Sequence, residues 1–217
     1  MRILISIILL LFALTGCSFS EGSEEKASAK KSEQKEATSG SVKKDVYVPN
    51  PQVSDDINLV KVGETVSDDK GEITLKEYKQ VNKKIKVGSV EMLVKDVKVI
   101  HFVPDYSMID FFHGYTHDEE FDFIKVAVET KNTSKEPVKF TPVAYLKMNS
   151  GEHKTWEDDI YLESLTGELG ANSTKRGNMG FILDQTEDYQ SVELLTSDAV
   201  NKQGKSITTA EKIVVEF

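Results

Sequence analysis

The chain has 217 residues, 39% hydrophobic and 29% charged, and a formal net charge of −9. That acidic balance argues against nucleic acid as a partner, because neutralising phosphates takes clustered Lys and Arg. The one cysteine, Cys17, excludes an intramolecular disulfide and zinc sites built on thiolates.

The chain begins with Met1-Arg2, a minimal positively charged region, then an apolar run over 3–13 and Leu14-Thr15-Gly16-Cys17. A run this short cannot span ~30 Å of hydrocarbon at about 1.5 Å per residue. Residues 1–16 therefore read as a signal peptide. Leu14-Thr15-Gly16-Cys17 resembles the lipobox of bacterial lipoproteins. The resemblance implies that the Cys17 thiol receives a diacylglyceryl group and that cleavage leaves Cys17 as the first mature residue. Two acyl chains hold a protein stably on a membrane, where one holds it marginally.

Residues 18–45 are Ser, Glu, Lys, Ala, Gln, Gly and Thr with Phe19 and Val42 as the only large apolar side chains. Such a stretch buries too little apolar surface to offset its ordering entropy. Residues 17–56 are thus expected to be a lipidated cysteine followed by a disordered tether. The part from Val46 onward carries 20 basic and 30 acidic residues. An anionic domain does not adhere to an anionic membrane surface by itself, so the lipid is needed.

The folded domain is expected over 57–217, approached by an extended stretch with Pro49 and Pro51. Residues 57–66 suit an edge strand before the turn Ser67-Asp68-Asp69-Lys70-Gly71. Residues 72–81 alternate imperfectly and also suit a short amphipathic helix. Residues 90–103 form a clear strand, with Leu93, Val97 and Val99 facing one way and Val94 and Ile100 out of step, as a bulge would produce. Pro104 ends it.

Residues 121–140, FDFIKVAVETKNTSKEPVKF, predict a hairpin. Ile124, Val126, Val128 and Thr130 alternate with polar or small residues, the period of a strand with one buried face. Asn132–Pro137 supplies turn residues, and a second strand runs over 138–148 with a kink at Pro142. Asn149-Ser150-Gly151 is a turn. Later strands are expected over 178–183 (Met179, Phe181 and Leu183 inward), 189–195 (Val192 and Leu194) and 212–217 (Ile213, Val215 and Phe217). Seven or more short strands without a sustained helix predict an all-β, antiparallel two-sheet β-sandwich.

FDFIKVAVETKNTSKEPVKF, the turn at Lys147–Gly151 and LGANSTKRGNMGFIL resemble a family of extracellular immunoglobulin-like domains in Gram-positive lipoproteins. The family is described as telokin-like or immunoprotective-antigen-like and has no known function. The resemblance covers 121–217 and implies an immunoglobulin-like fold at the outer membrane face, without catalytic residues. The chain departs from it in an acidic, aromatic segment before Phe121.

That segment, DYSMIDFFHGYTHDEEFD over 105–122, holds six carboxylates and neither Lys nor Arg. His113, His117, Asp118 and Glu120 could offer nitrogen and oxygen ligands to a divalent metal. Phe111, Phe112 and Tyr115, with Trp156 beside a second acidic run (Glu157-Asp158-Asp159 and Glu163), could contact a ligand. The bland alternative is a solvated loop whose aromatics fold back on the sandwich. Gly204-Lys205-Ser206 lacks the glycine and strand of a phosphate loop, and Asp68–Gly71 lacks the alternating ligands of an EF-hand. The sequence thus favours a non-catalytic, surface-displayed binding domain of unknown ligand, with no cofactor. Its partners are the cell membrane, through Cys17, and another surface or cell-wall protein. The alternative is a metal- or small-ligand-binding lipoprotein using residues 105–122; a hydrolase ranks last.

Overall fold

The computed structural model describes residues 47–184 and 189–217. Cys17, the signal peptide and the tether as far as residue 46 lie outside the described residues.

Period-two sequence becomes antiparallel strand throughout. The strands are β1 (Thr65–Asp68), β2 (Gly71–Val87), β3 (Val90–Pro104), β4 (Phe121–Asn132), β5 (Val138–Phe140), β6 (Tyr145–Met148) and β7 (His153–Thr155). They continue with β8 (Gly167–Leu169), β9 (Thr174–Ile182), β10 (Ser191–Leu195), β11 (Ala199–Val200), β12 (Ser206–Thr208) and β13 (Lys212–Glu216). A 3-10 turn (Tyr106–Met108) and a one-turn helix, α1 (Ile109–Phe112), precede β4. A five-stranded sheet has the order β1-β2-β3-β4-β9, and two four-stranded sheets have the orders β13-β10-β6-β7 and β12-β11-β5-β8.

The main core lies between the large sheet and the two small ones. Val97, Val99, Ile124, Val126, Val128, Met179 and Phe181 meet Phe140, Leu146, Val192, Leu194, Ile213 and Val215. This is the all-β sandwich expected from sequence, with the predicted inward residues of β4, β9, β10 and β13 in its core. Burial at about 25 cal/mol per Å² of apolar surface drives it.

Residues 121–140 do not form a hairpin. β4 pairs with β3 and β9, while β5 pairs with β8 and β11. Both sides of β4 are occupied, so the chain leaves it for another sheet. Asn132, fully buried, makes the crossing. Its side-chain oxygen accepts from the Ser134 N–H (3.0 Å) and hydroxyl (2.8 Å), and its amide nitrogen donates to the Glu136 carbonyl (2.7 Å) and to those of Leu169 and Gly170. The expected strand over 138–148 likewise splits into β5 and β6, which belong to different sheets.

Other expectations shift by register. Residues 72–81 and 83–87 belong to one strand, β2, with irregularities at Leu75/Glu77 and Gln80/Lys83. The bulge in β3 falls between Val94 and Asp96. It places Val94 with Val97 and Val99 in the core and leaves Leu93 on the other face, the reverse of the predicted facing. Pairing begins only at Thr65, so residues 57–64 are not strand. The described part of the expected tether, 47–56, is packed: Asn50, Val53, Ser54 and Asp56 are buried.

β4 was expected to bury one face and buries both. From Phe121 to Val128 every residue is buried, Asp122 and Lys125 included. The second face belongs to a second core of Val53, Leu59, Ile73, Leu75, Ile100, Phe102, Phe112, Phe121, Phe123, Ile160, Tyr161 and Ile182. No sheet covers it. Three irregular segments do, around residues 50–59, 105–120 and 159–165.

Candidate functional site

The register of β3 and β4 sets Lys98 directly across from Lys125 on the covered face. Two ammoniums side by side repel each other, and burying them unpaired would cost several kcal/mol. Asp56, arriving from the 50–59 segment, resolves both problems. Lys125 Nζ donates to Asp56 Oδ1 and Oδ2 at 2.6 Å each, and Lys98 Nζ donates to Oδ2 at 2.8 Å and to the Asp56 carbonyl at 2.6 Å. Burial pushes the Asp56 carboxyl up, but the Lys125 and Lys98 charges prevail and hold it below the usual carboxylate range. Lys98 also lies 5.9 Å from the Tyr78 ring centre, and Lys125 5.8 Å from that of Tyr161. Nearby Asp96 is pushed up by burial, against the pull of the same lysines.

The second acidic run caps the free edge of β9. Asp159 Oδ1 accepts from the Gly180 N–H at 2.9 Å, and Glu163 Oε2 from the Asn178 N–H at 2.8 Å. The Ile160 N–H returns a bond to the Gly180 carbonyl. Tyr161 packs against Gly180, where an added Cβ would stand 2.5 Å from the ring. The Gly177-x-x-Gly180-Phe motif therefore leaves room for this segment. Burial raises the Asp159 carboxyl to about 6, although the N–H groups of Gly180, Tyr161 and Leu162 pull the other way.

The acidic-aromatic segment folds back onto the sheet. Phe112 is 2% exposed and packs edge-on against Phe102 and tilted against Phe121. It is thus core, not a ligand contact, because its ring completes the second core. Phe111 is half-buried against Phe112 and Tyr115. Tyr115 and Trp156 remain exposed. Both acidic runs lie over one face of the sheet, since Phe112 from the first and Ile160 and Tyr161 from beside the second pack into the same core; burial and then the charge of Asp159 push the Tyr115 hydroxyl up.

Of the four residues proposed as metal ligands, His113 and His117 lie beside each other, but the four do not form a group of three or more donors. His113 and His117 have ring centres 6.2 Å apart, Asp118 accepts from the Thr116 hydroxyl, and Glu120 faces His101 at 3.8 Å. Among the described residues no group of three or more His, Cys, Asp or Glu is placed to hold a metal ion. Cys17 lies outside the described residues.

Besides the Asp56–Lys98–Lys125 group and the cap on β9, sequence reasoning missed two further arrangements. His101 and Asp122 are direct cross-strand partners, with His101 Nδ1 2.6 Å from Asp122 Oδ1, and the Tyr189 hydroxyl donates to Asp122 Oδ2 at 2.5 Å. This ties β3, β4 and the approach to β10 together. The second is a hollow of about 380 Å³ lined by Val48, Pro49, Asn50, Pro51, Gln52, Tyr161, Leu162 and Glu163. Two buried polar atoms of its lining residues, Gln52 Oε1 and the Tyr161 hydroxyl, have no hydrogen-bond partner. The only sequence signal was the stretch with Pro49 and Pro51, which reads as an extended approach to the domain.

No protein-family model matches the chain. It is 45% identical to the uncharacterized protein YdhF of Bacillus subtilis (strain 168) over 236 aligned residues, covering all of both chains. Among solved structures, a functionally unknown protein from Listeria monocytogenes EGD-e shares 16% identity over 68% of this chain and 87% of its own, with a TM-score of 0.49. YcdA of Bacillus subtilis, described as a candidate lipoprotein, shares 20% identity over 63% of this chain and 39% of its own, with a TM-score of 0.41.

Proposed function

The chain belongs to the family of Bacillus subtilis YdhF, and on that footing we propose that it is a lipid-anchored, surface-displayed domain that binds a partner and catalyses no reaction. Cys17 carries the lipid, the Ser/Glu/Lys-rich stretch is the spacer, and an immunoglobulin-like sandwich is the payload at the extracytoplasmic face of the cell membrane. One observation carries the binding half of this reading. The outer face of the five-stranded sheet is covered by three irregular segments and, among the described residues, by no other sheet; the buried Asp56–Lys98–Lys125 group fixes the first, Phe112 the second, and Asp159 and Glu163 the third. Irregular segments held on a rigid scaffold are where binding surfaces concentrate. A further surface or cell-wall protein fits as the partner.

The small-ligand alternative is favoured by the hollow beside Tyr161 and moves from residues 105–122 to that place. The metal version has less support, because His113, His117, Asp118 and Glu120 form no group of three or more donors among the described residues.

The anchor is tested by growing a Gram-positive host that makes the full chain with an alkyne-tagged fatty acid. The expected result is label on the wild-type chain and none on Cys17→Ser, with the domain removed by protease added to intact protoplasts. Label retained on Cys17→Ser, or a domain that protease cannot reach, overturns it.

A further inference from the structure

We propose that the open edge of β2, over residues 76–86, takes up an acidic, extended segment of another protein as an added strand. This names a surface and the chemistry of the partner, and it rests on the binding reading above only for the presence of a partner protein.

The two sides of β2 are unequal. β3 runs beside it from Gly71 to Val87, but β1 pairs only with residues 71–74. The last bonds on the β1 side run from the Gly63 N–H to the Leu75 carbonyl (2.8 Å) and from the Leu75 N–H to the Glu64 carbonyl (3.0 Å). Over 76–86 nothing pairs with that side among the described residues. The edge therefore presents backbone N–H and C=O groups outward, the template for strand addition.

This edge is basic on an acidic domain. Lys76, Lys79, Lys83, Lys84 and Lys86 are exposed, and Glu77 is the one acid among them. None of the five lysines makes an ion pair or a side-chain hydrogen bond among the described residues. The register puts them on both faces. Lys83 stands across from Val94, which faces the main core, while Lys84 and Lys86 stand across from Leu93 and Glu91 on the other face. A strand laid alongside meets lysine above and below, so acids at adjacent positions find partners. At physiological salt charges are screened over about 8 Å, so these lysines and not the net charge decide what approaches the edge.

Two other occupants fit worse. Antiparallel pairing with a second copy of this edge sets lysine against lysine. An inorganic polyanion answers the lysines and the N–H groups but offers no donor to the carbonyls. A peptide strand supplies donors and acceptors at the spacing of the edge. The lysines that oppose self-pairing thus select the strand that is taken up.

The test titrates the full chain, in detergent, into a fluorescein-labelled peptide of about ten residues, the length of a long strand. The peptide combines Val and Thr with Glu and Asp at adjacent positions, and fluorescence anisotropy follows its binding. Saturable binding is expected, weaker by about tenfold or more in high salt and for the same peptide with Gln and Asn in place of its acids. Lys83→Gln, Lys84→Gln and Lys86→Gln together should weaken it about as much. All three side chains are exposed, so the melting temperature should stay within a few degrees. N-methylation of alternate peptide amides, in each of the two registers, removes the donors that strand addition needs, and at least one of the two forms should not bind. Bound peptide should also slow hydrogen exchange of amides within 76–86. Equal binding of the neutral peptide or of both N-methylated forms, unchanged binding in the triple variant, no saturation by about 1 mM, or no protection within 76–86 each overturns the proposal. Capture of inorganic polyphosphate without capture of the peptide overturns it too. Fatty-acid labelling of Cys17 reports on the anchor separately, so either reading can fail while the other stands.

Discussion

The Asp159 carboxylate accepts the backbone N–H of Gly180 at 2.9 Å. Four residues on, Glu163 does the same for Asn178. Together they satisfy donors on an edge of the main sheet that would otherwise invite pairing with another chain. The acidic run that reads in sequence as a charged surface turn is an edge cap, and Gly180 is the space it needs. Gly180→Ala should drive a Cβ into the Tyr161 ring and lower stability by about 1–3 kcal/mol. Denaturant melts should show a lower midpoint with an unchanged slope.

The Asp159 cap carries a pH signature. Its carboxyl is raised by burial to about 6, from 3.8. The protonated form is therefore the one the fold favours. The associated stability is fully present below the unfolded value and is lost as pH rises through about 6. Wild type should gain about 1–2 kcal/mol over Asp159→Asn between pH 7 and pH 4, after discounting for partial exposure. Asp56 and Asp68 titrate the other way: both are pushed up by burial but pulled lower overall, Asp68 to about 2, and they lose stability as pH falls. Both residues persist in the variant, so the difference between the two melting profiles isolates Asp159. A constant difference across this range would show that Asp159 is ionised throughout.

Asp56→Ala should be among the most damaging single changes, because it strands two buried ammoniums; breaking a buried pair costs about 3–5 kcal/mol. Replacing Asp56, Lys98 and Lys125 together by Leu, Met and Met should recover most of that loss. Chemical denaturation of the single and triple variants measures both. A triple variant as unstable as Asp56→Ala would show that the polar group itself organises the cover.

Val126→Asp should unfold the domain. Val126 is fully buried in the main core, and an unpaired carboxylate there costs several kcal/mol. Circular dichroism of the variant, melting within a few degrees of wild type, would contradict this facing.

What the sequence showed was local. Ile124–Thr130, Asn178–Leu183 and Ile213–Val215 alternate cleanly, and each places the expected side chains in the core. The out-of-step Val94 signalled a real bulge, though not which neighbours it would align. Pairing partners were not legible. Asn132–Pro137 announces a turn, but a turn residue does not say which strand the chain meets next. The covered face was hidden for the same reason. Lys98 and Lys125 look like ordinary solvent-facing residues of alternating strands until Asp56, 42 and 69 residues away, is brought between them. Phe112 looked available because its neighbours are charged, yet the second core it completes draws on residues from Val53 to Ile182.

The doubly buried β4 implies a hierarchy of opening. Its backbone is laddered on both sides, and its faces belong to two separate cores. In hydrogen-exchange terms, the amides of the three covering segments can open without unpairing the sheet, and those of β4 exchange only when the whole domain unfolds. An excursion that lifts the cover lays the Lys98–Lys125 pair bare in water while the sandwich stays closed. The face so uncovered would be chiefly apolar, with Ile73, Leu75, Ile100 and Phe123 beside the two ammoniums.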